Sequence, residues 1–457
     1  MQALHNYQHV FFIGVAGTGM SALAQFAAGL GIQVSGSDRY FVAGQPNHTQ
    51  QQLEEAGIAC FPQDGSGIVA NTDLVVISTA VEDSNPELQK AIAHNIPVVK
   101  RSAFLTMVSQ TKRTIAVGGT SGKSTTTAMI FDILHYAGLE PSIISGAGLI
   151  RLQKEGKIGN AHVGSGEWLV IEADESDGSI VGYTPEIGLL LNIDKDHKEI
   201  DELLQLFTLF KQHSTHFVVN AGHVLAAPFS QNAQFDFSAQ GGNVGYIAHD
   251  FVQTDFSIGF AINHVPFTME GIGRHNMENA LAAVAVAQLC GVSLPTCAEG
   301  LAHYKGIYRR NQLICQREGF WLIDDYAHNP AKVAAAINGV QPLADKVIAW
   351  FQPHGYGPTK FLRHDFVHEI ARTLRPQDEI WMSEIFYAGG TAVKDISAAD
   401  LINDLKALGV QAYFVADRNQ LVTTLQPHLT NNCVLLLMGA RDPSLDSFAN
   451  QIAKVLW

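Results

Sequence analysis

The chain has 457 residues, of which 47% are hydrophobic and 16% charged, and it carries a net charge of −14. That composition fits a well-cored globular protein of about three domains and argues against a nucleic-acid-binding surface. No run of about 18 apolar residues occurs, so no membrane partner is expected.

The segment HVFFIGVAGTGMSALAQFAAGLGIQVSGSDRY reads as a short apolar strand, a glycine turn, a helix-period stretch and a second strand ending at Asp38. DLVVIST and IPVVK read as further buried strands. RTIAVGGTSGKSTTTAMIFDILHYAGL restarts the pattern, with its helix ending near Gly138. EWLVIEADESD and EIGLLLNIDKDH are buried strands that end in acids or His, and NMENALAAVAVAQLCG is helical. FWLIDDYAHNPAKVAAAINGV opens a third series, continued by DKVIAWFQPHG, DEIWMSEI, VQAYFVAD and NCVLLLMGA. The expected fold is α/β, with three open, parallel sheets in series and boundaries near residues 111 and 313. The stretch MQALHNYQHVFFIG has no basic leader and no cleavage pattern, so a cytoplasmic chain is expected. The five cysteines form no C-x-x-C pair and read as buried free thiols.

The stretch VGGTSGKSTTT, residues 117–127, follows a strand and opens a helix. That is the context a phosphate-binding loop needs, although the loop is one residue shorter than the standard form. Gly118, Gly119 and Gly122 free backbone N–H groups to face phosphate oxygens, and the helix adds its N-terminal dipole. Lys123 has the reach for β- and γ-phosphates, and Ser124 can ligate Mg²⁺. The bland alternative is a helix entry with an exposed lysine. Phosphoryl chemistry also needs oxygen ligands for a metal. Glu172, Asp174, Glu175 and Asp177 follow one apolar strand, and Asp194, Asp196 and His197 follow the next. Ligands in open sheets gather at such carboxyl ends. Mg²⁺ takes only one or two carboxylates, so most of these acids are not ligands. In the first segment, the glycine turn and Asp38, about 19 residues after Gly19, also fit a dinucleotide-binding turn. An NAD-dependent dehydrogenase with an appended ATPase is therefore the alternative class. The second phosphate cradle weighs against it.

Taken in order along the whole chain, these motifs resemble the Mur ligases, the ATP-dependent amide-forming family of peptidoglycan synthesis. GVAGTGMSALA, GSD, STAVEDSNPELQKA and IPVVKRSAFL resemble its first domain. GGTSGKSTTT, EADESDGS, NIDKDH and GRHNMENALAA resemble its ATPase domain. YRRNQ, DDYAHNPAKV, FQPHGYGPT and MGARD resemble its last domain. The resemblance implies a Rossmann-like UDP-sugar domain (1–111), a central P-loop ATP domain (112–313) and a Rossmann-like C-terminal domain (314–457). It is nearest to the branch that acts on UDP-N-acetylmuramate, adding an amino acid or, in a recycling relative, a tripeptide. The implied partners are these small molecules, with the chain a monomer or homodimer, and the implied cofactors are ATP and Mg²⁺. Such ligases phosphorylate a carboxylate with ATP, and an amine then attacks the acyl phosphate.

The resemblance places Gly119, Thr120, Ser121, Gly122, Lys123, Ser124 and Thr125 on ATP, with Asn276 and Asn279 at adenine. Those two asparagines lie three apart on one helix face, and Asn276 could also be an N-cap. Of the adjacent pair Arg309 and Arg310, it gives Arg310 to the phosphates, and Asp325 is a candidate for the ribose. Ser124 and Glu172 would hold one Mg²⁺ and His197 a second. Gly14, Ala16, Gly17, Thr18, Gly19, Met20, Asp38, Thr79 and Ala80 would meet the UDP-sugar. His328 and His354 are candidate substrate contacts, with His328 alternatively a helix cap. The catalytic set is Lys123, Glu172, His197 and Arg310, and the general base for the amine is not identified. Several positions depart from the family pattern. Ser121 stands where the loop often has histidine, Gly355 and Gly357–Pro358 where arginines are usual, and Asn311 where an aromatic follows the arginine pair. The usual Asp two residues after His197 is absent. These changes fall on loops that would meet the sugar nucleotide and the incoming amine.

Overall fold

The computed structural model describes residues 4–42, 44–176, 178–194, 198–317, 319–387, 389 and 393–456. The first sheet is wholly parallel, in the order Ala59–Pro62, Gln33–Asp38, His9–Ile13, Leu74–Ile77, Val98–Lys100. The chain builds outward from His9–Ile13 in one direction and then returns to add strands on its other side. The carboxyl end of His9–Ile13 is thus a topological switch point, where open α/β sheets bind ligands. All five residues of that strand are buried, as expected when helices cover both faces of a parallel sheet.

The second sheet runs His216–Val219, Ile187–Leu190, Arg113–Gly118, Trp168–Glu172, Ser142–Ile144, Ala161–His162, with only the last strand antiparallel. Arg113–Gly118 is central. Its neighbours on either side are the two strands whose ends carry the acidic clusters, so strand order alone brings Gly119, Glu172 and Asn192 to one edge. One apolar core joins the first two sheets, including Val10, Phe12, Phe26, Phe104, Leu169, Ile171 and Phe207. A four-stranded sheet follows, in the order Phe237–Ser238, Tyr246–Thr254, Ser257–Ile262, Val265–Glu270. Burial alternates along Ser257–Ile262, the pattern of a sheet with one wet face.

The last sheet runs Gln312–Arg317, Phe320–Asp325, Cys433–Gly439, Lys346–Gln352, Glu379–Met382, Ala412–Phe414, parallel except for the first strand. Its edge strand runs across residue 313. By contacts the chain divides into two compact units. One comprises Met1–Phe251, Gly259–Glu270 and Arg274–Tyr308, and the other Val252–Ile258, Gly271–Gly273 and Arg309–Trp457. Among the described residues no helix is long and apolar enough to cross a membrane.

Candidate functional site

At the switch point of the first sheet the chain turns through Gly14 (φ +79°), and the helix Thr18–Gly29 follows. Ser37 O accepts from both Gly14 N and Val15 N, and Gly14 O accepts from Gly17 N. Asp38 is buried. One carboxylate oxygen accepts from Ala16 N (3.1 Å) and the other from Tyr40 N (3.1 Å), so Asp38 organises the turn. Gly17 and Thr18 are exposed at the helix entry, with Ala16 and Gly19 half-buried, and Thr79 and Ala80 are exposed after the adjacent strand Leu74–Ile77. Met20, also expected among the sugar-nucleotide contacts, lies on the buried face of the same helix. Its side chain is 3% exposed in the core, because the helix must bury one face against the sheet.

The phosphate-type loop leaves Arg113–Gly118 and enters the helix Lys123–Tyr136. Gly119 (φ +135°) passes so close to the next strand's end that a Cβ would lie 3.0 Å from Leu191 Cβ. Gly122 (φ +83°) is the helix N-cap and supplies no side-chain cap, which leaves first-turn N–H groups pointing forward. Asn192 fixes the loop from outside. Its Oδ1 accepts from Thr120 Oγ1 (2.9 Å) and Ser121 N (2.8 Å), and its Nδ2 donates to Ser121 O (3.1 Å). Thr120 is only 4% exposed, so its hydroxyl is structural rather than ligand-facing. Thr125 lies half-buried in the first helical turn.

Glu172 ends its strand beside this loop. Its Oε2 accepts from Ser124 Oγ (2.9 Å), and its Oε1 accepts from Ser145 Oγ (2.9 Å) and Gly146 N (2.6 Å). Lys123 Nζ donates to Gly119 O and to Glu175 Oε2, both at 2.7 Å. Burial pushes the Glu175 carboxyl up, while Lys123 pulls it down. Burial alone would also raise Asp174, but Lys123, the hydrogen bonds from Ser176 and Arg101 outweigh it and hold it below the usual range. Ser124 Oγ and Glu172 Oε2 form an adjacent pair of hard oxygen donors. Among the described residues no group of three His, Cys, Asp or Glu is placed to hold a metal. A cation here would take this hydroxyl and carboxylate and fill its sphere with phosphate and water, as Mg²⁺ does. His197, expected at a second cation, and Asp177 and Asp196 lie outside the described residues.

Asn276 and Asn279 share one face of the helix Arg274–Leu289, and Asn279 Nδ2 donates to Asn276 Oδ1 (3.4 Å). The helix starts two residues before Asn276, so Asn276 is not its N-cap. Asn279 Oδ1 accepts from Thr126 Oγ1 (3.3 Å) and would lie 2.5 Å from a Cβ on Gly122. The asparagine pair therefore abuts the loop's end. A second relay reaches Glu172 from the first sheet's helix. The side chain of buried Asn160 donates to Thr18 O (2.7 Å) and Ser21 Oγ (2.9 Å) and accepts from Gln25 Nε2 (2.9 Å), while its backbone O accepts from Ser145 N.

In the second unit the two neighbouring arginines part company. Arg309 is buried, with Nε on Asp324 Oδ2 (2.8 Å), Nη2 on Asp324 Oδ1 (3.1 Å) and Nη2 on Gly439 O (2.9 Å). Arg310 is half-buried, its guanidinium 5.0 Å from the Tyr326 ring centre. Arg309 and Asn311 both have positive φ (+53° and +45°), so Arg310 is carried on a strained turn of the kind that clusters at functional sites. Asp325, the ribose candidate, also organises its loop. It is 9% exposed, and its oxygens accept from Asn311 N (2.7 Å) and Ala327 N (2.8 Å). His328 is not a helix cap, since Asn329 caps Pro330–Val340. Its Nδ1 meets Tyr326 O (2.9 Å), and its ring lies 5.8 Å from that of His354. Burial pushes His328 down to about 4 and also lowers His354. His354 Nδ1 is buried without a hydrogen-bond partner.

Sequence reasoning missed Asn192, Ser145 and Asn160, and it placed Glu175 only among the candidate metal-ligating acids. Asn192 carried a weak signal, as a polar residue closing a strand beside a glycine loop.

Comparison with known proteins follows the same layout. The family described as Mur ligase family, catalytic domain, matches residues 9–113. The Mur ligase middle domain matches 117–287, and the Mur ligase glutamate ligase domain matches 309–441. The UDP-N-acetylmuramate–L-alanine ligase of Geobacter sp. (strain M21) is 33% identical, covering 95% of each chain. The enzyme of that name from Acidithiobacillus ferrooxidans is 33% identical over 98% of each. Among solved structures, a UDP-N-acetylmuramate–alanine ligase from Thermotoga maritima superposes with a TM-score of 0.81 at 24% identity, covering 98% of this chain and 99% of that one. A murein peptide ligase from Psychrobacter arcticus gives 0.66 at 21%, covering 98% of each. At these identities the structural likeness speaks for the fold.

Proposed function

Since the chain belongs to the Mur ligase family, we propose that it is the ATP-dependent ligase that joins the carboxylate of UDP-N-acetylmuramate to L-alanine in peptidoglycan synthesis. The observation that carries the reading is the gathering of Lys123, Ser124 and Glu172 around one glycine cradle at the edge of the second sheet. The N–H groups of Gly122, Lys123 and Ser124 and the helix dipole receive the ATP phosphates, and the Lys123 ammonium adds its positive charge. Ser124 and Glu172 would hold Mg²⁺, which when bound neutralises phosphate oxygens so that one anion can approach another. The Asn276–Asn279 pair takes the adenine edge, since each carboxamide offers both donors and acceptors. The Gly14–Gly19 turn, with Thr79 and Ala80 beside it, takes the UDP moiety, in a first domain of residues 1–111. Arg310 keeps its assignment to the nucleotide because Arg309 is committed to Asp324. His328 and His354 are held neutral by burial, so each ring can offer a nitrogen lone pair as a hydrogen-bond acceptor to a substrate group.

The test is phosphate release from ATP with UDP-N-acetylmuramate and a panel of amino acids plus the L-Ala–D-Glu–diaminopimelate tripeptide. L-Alanine is expected to stimulate release most, and Lys123→Ala to abolish it while leaving UDP-sugar binding intact. Near wild-type product from Lys123→Ala refutes the ATP site, and preference for another amine refutes the acceptor.

A further inference from the structure

Among the described residues Glu175 is the most buried acid beside the cradle, and the reaction outlined above makes no use of it. Its side chain is 5% exposed and that of its partner Lys123 is 16% exposed. An ammonium has three donors. Lys123 places one on Gly119 O and one on Glu175 Oε2, each at 2.7 Å. One donor is therefore left for a phosphate oxygen, and a second phosphate contact requires Nζ to give up Glu175 or Gly119 O, of which only Glu175 also opposes the phosphate by its charge. Glu172 does not compete in this way, because its oxygens are taken by Ser124, Ser145 and Gly146. A carboxylate at hydrogen-bond distance from the phosphate-binding lysine opposes a polyanion by direct charge repulsion and by occupying the donor.

We propose that Glu175 is a positioning residue that competes with nucleotide phosphates for the Lys123 ammonium, and thereby sets how tightly nucleotide is held and how fast ADP leaves. The proposal rests on the ATP reading of the loop. On this account Glu175 gives up binding strength for turnover. It holds Lys123 in the cradle and recaptures it as phosphate departs. A merely structural ion pair would behave otherwise, since breaking it would loosen the loop and weaken binding.

The experiment measures ADP affinity by calorimetry, together with kcat and KM for ATP, in the full-length wild type, Glu175→Gln, Glu175→Asp and Lys123→Ala. Glu175→Gln is expected to bind ADP about tenfold tighter, to lower KM for ATP, and to lower kcat through slower ADP release. Glu175→Asp keeps the charge and is expected to stay within about threefold of wild type. Should Glu175→Gln fail to fold, Glu175→Ala carries the same expected tightening. Unchanged or weaker ADP binding in the folded neutral variant overturns the proposal. A wild type that binds no nucleotide overturns the ATP reading itself, which is a separate and recognisable failure.

Discussion

Replacing Glu172 by Gln separates its structural work from its chemical work. In the structure Oε1 serves Gly146 N–H and Ser145 Oγ, and the amide oxygen of Gln can take over both contacts. Oε2 accepts from Ser124 Oγ at 2.9 Å. There the amide NH₂ would stand, and the serine hydroxyl can rotate to accept. The fold therefore loses only the charge assistance of three hydrogen bonds, a cost of about 1 kcal/mol. The chemistry loses its one carboxylate beside Ser124. A cation bridging phosphate oxygens is then held by neutral ligands, and a loss of at least about 100-fold in kcat/KM is expected, about 2.7 kcal/mol in the transition state. ADP release during a Mg²⁺ titration reads the chemistry, and a thermal melt reads the fold. The expected outcome is a much higher Mg²⁺ requirement with a melting temperature within a few degrees of wild type. Wild-type Mg²⁺ dependence and rate would refute the ligand assignment. A collapse of the melting temperature would show that Glu172 is chiefly a brace for the Ser145–Gly146 turn.

Arg309→Ala leaves Asp324 buried without its bidentate partner, so about 3–5 kcal/mol of stability should be lost in denaturant unfolding, whereas Arg310→Ala should leave stability unchanged and lower activity. Gly122→Ala forces φ +83° on a residue with a Cβ only 2.5 Å from Asn279 Oδ1. About 1–2 kcal/mol of backbone strain plus displacement of Asn279 should follow, read as a lower melting temperature and weaker ATP binding. His328 is held neutral, with its pKa lowered from 6.5 to about 4, so between those values the unfolded chain binds the extra proton. Stability from this group is thus present above pH 6.5 and lost as pH falls toward 4, by up to about 3 kcal/mol. An NMR titration of its ring should show a midpoint near 4, and a midpoint above 6 would contradict the burial argument.

Residues at strand ends were legible because apolar runs announce where a buried strand stops. Lys123, Glu172 and Asp38 could be placed that way, and the three-residue spacing of Asn276 and Asn279 put them on one face before any coordinates. What periodicity cannot carry is which strand lies beside which. Asn192 locks Thr120 from 72 positions away, and that contact exists only because Ile187–Leu190 pairs with Arg113–Gly118. The same limit hid Ser145 and Asn160, polar residues in a glycine-rich stretch without a pattern of their own. The small sheet over 237–270 also went unread, since two of its strands are short or only partly buried along their length. Asp325 and Met20 show the complementary limit. Their positions beside a turn were legible, but their engagement by backbone N–H groups and by the core was not.

The Asn160 relay has a thermodynamic consequence. One fully satisfied carboxamide grips the entry of the helix Thr18–Gly29, and the same residue's carbonyl holds Ser145, which in turn holds Glu172. If a ligand at the first glycine turn shifts this chain of hydrogen bonds, it biases the second site's carboxylate, and the linkage is then mutual. Whatever factor the sugar nucleotide applies to the affinity for nucleotide and cation, those ligands return to the sugar nucleotide. Asn160→Ala should bring that factor toward one while each ligand still binds alone.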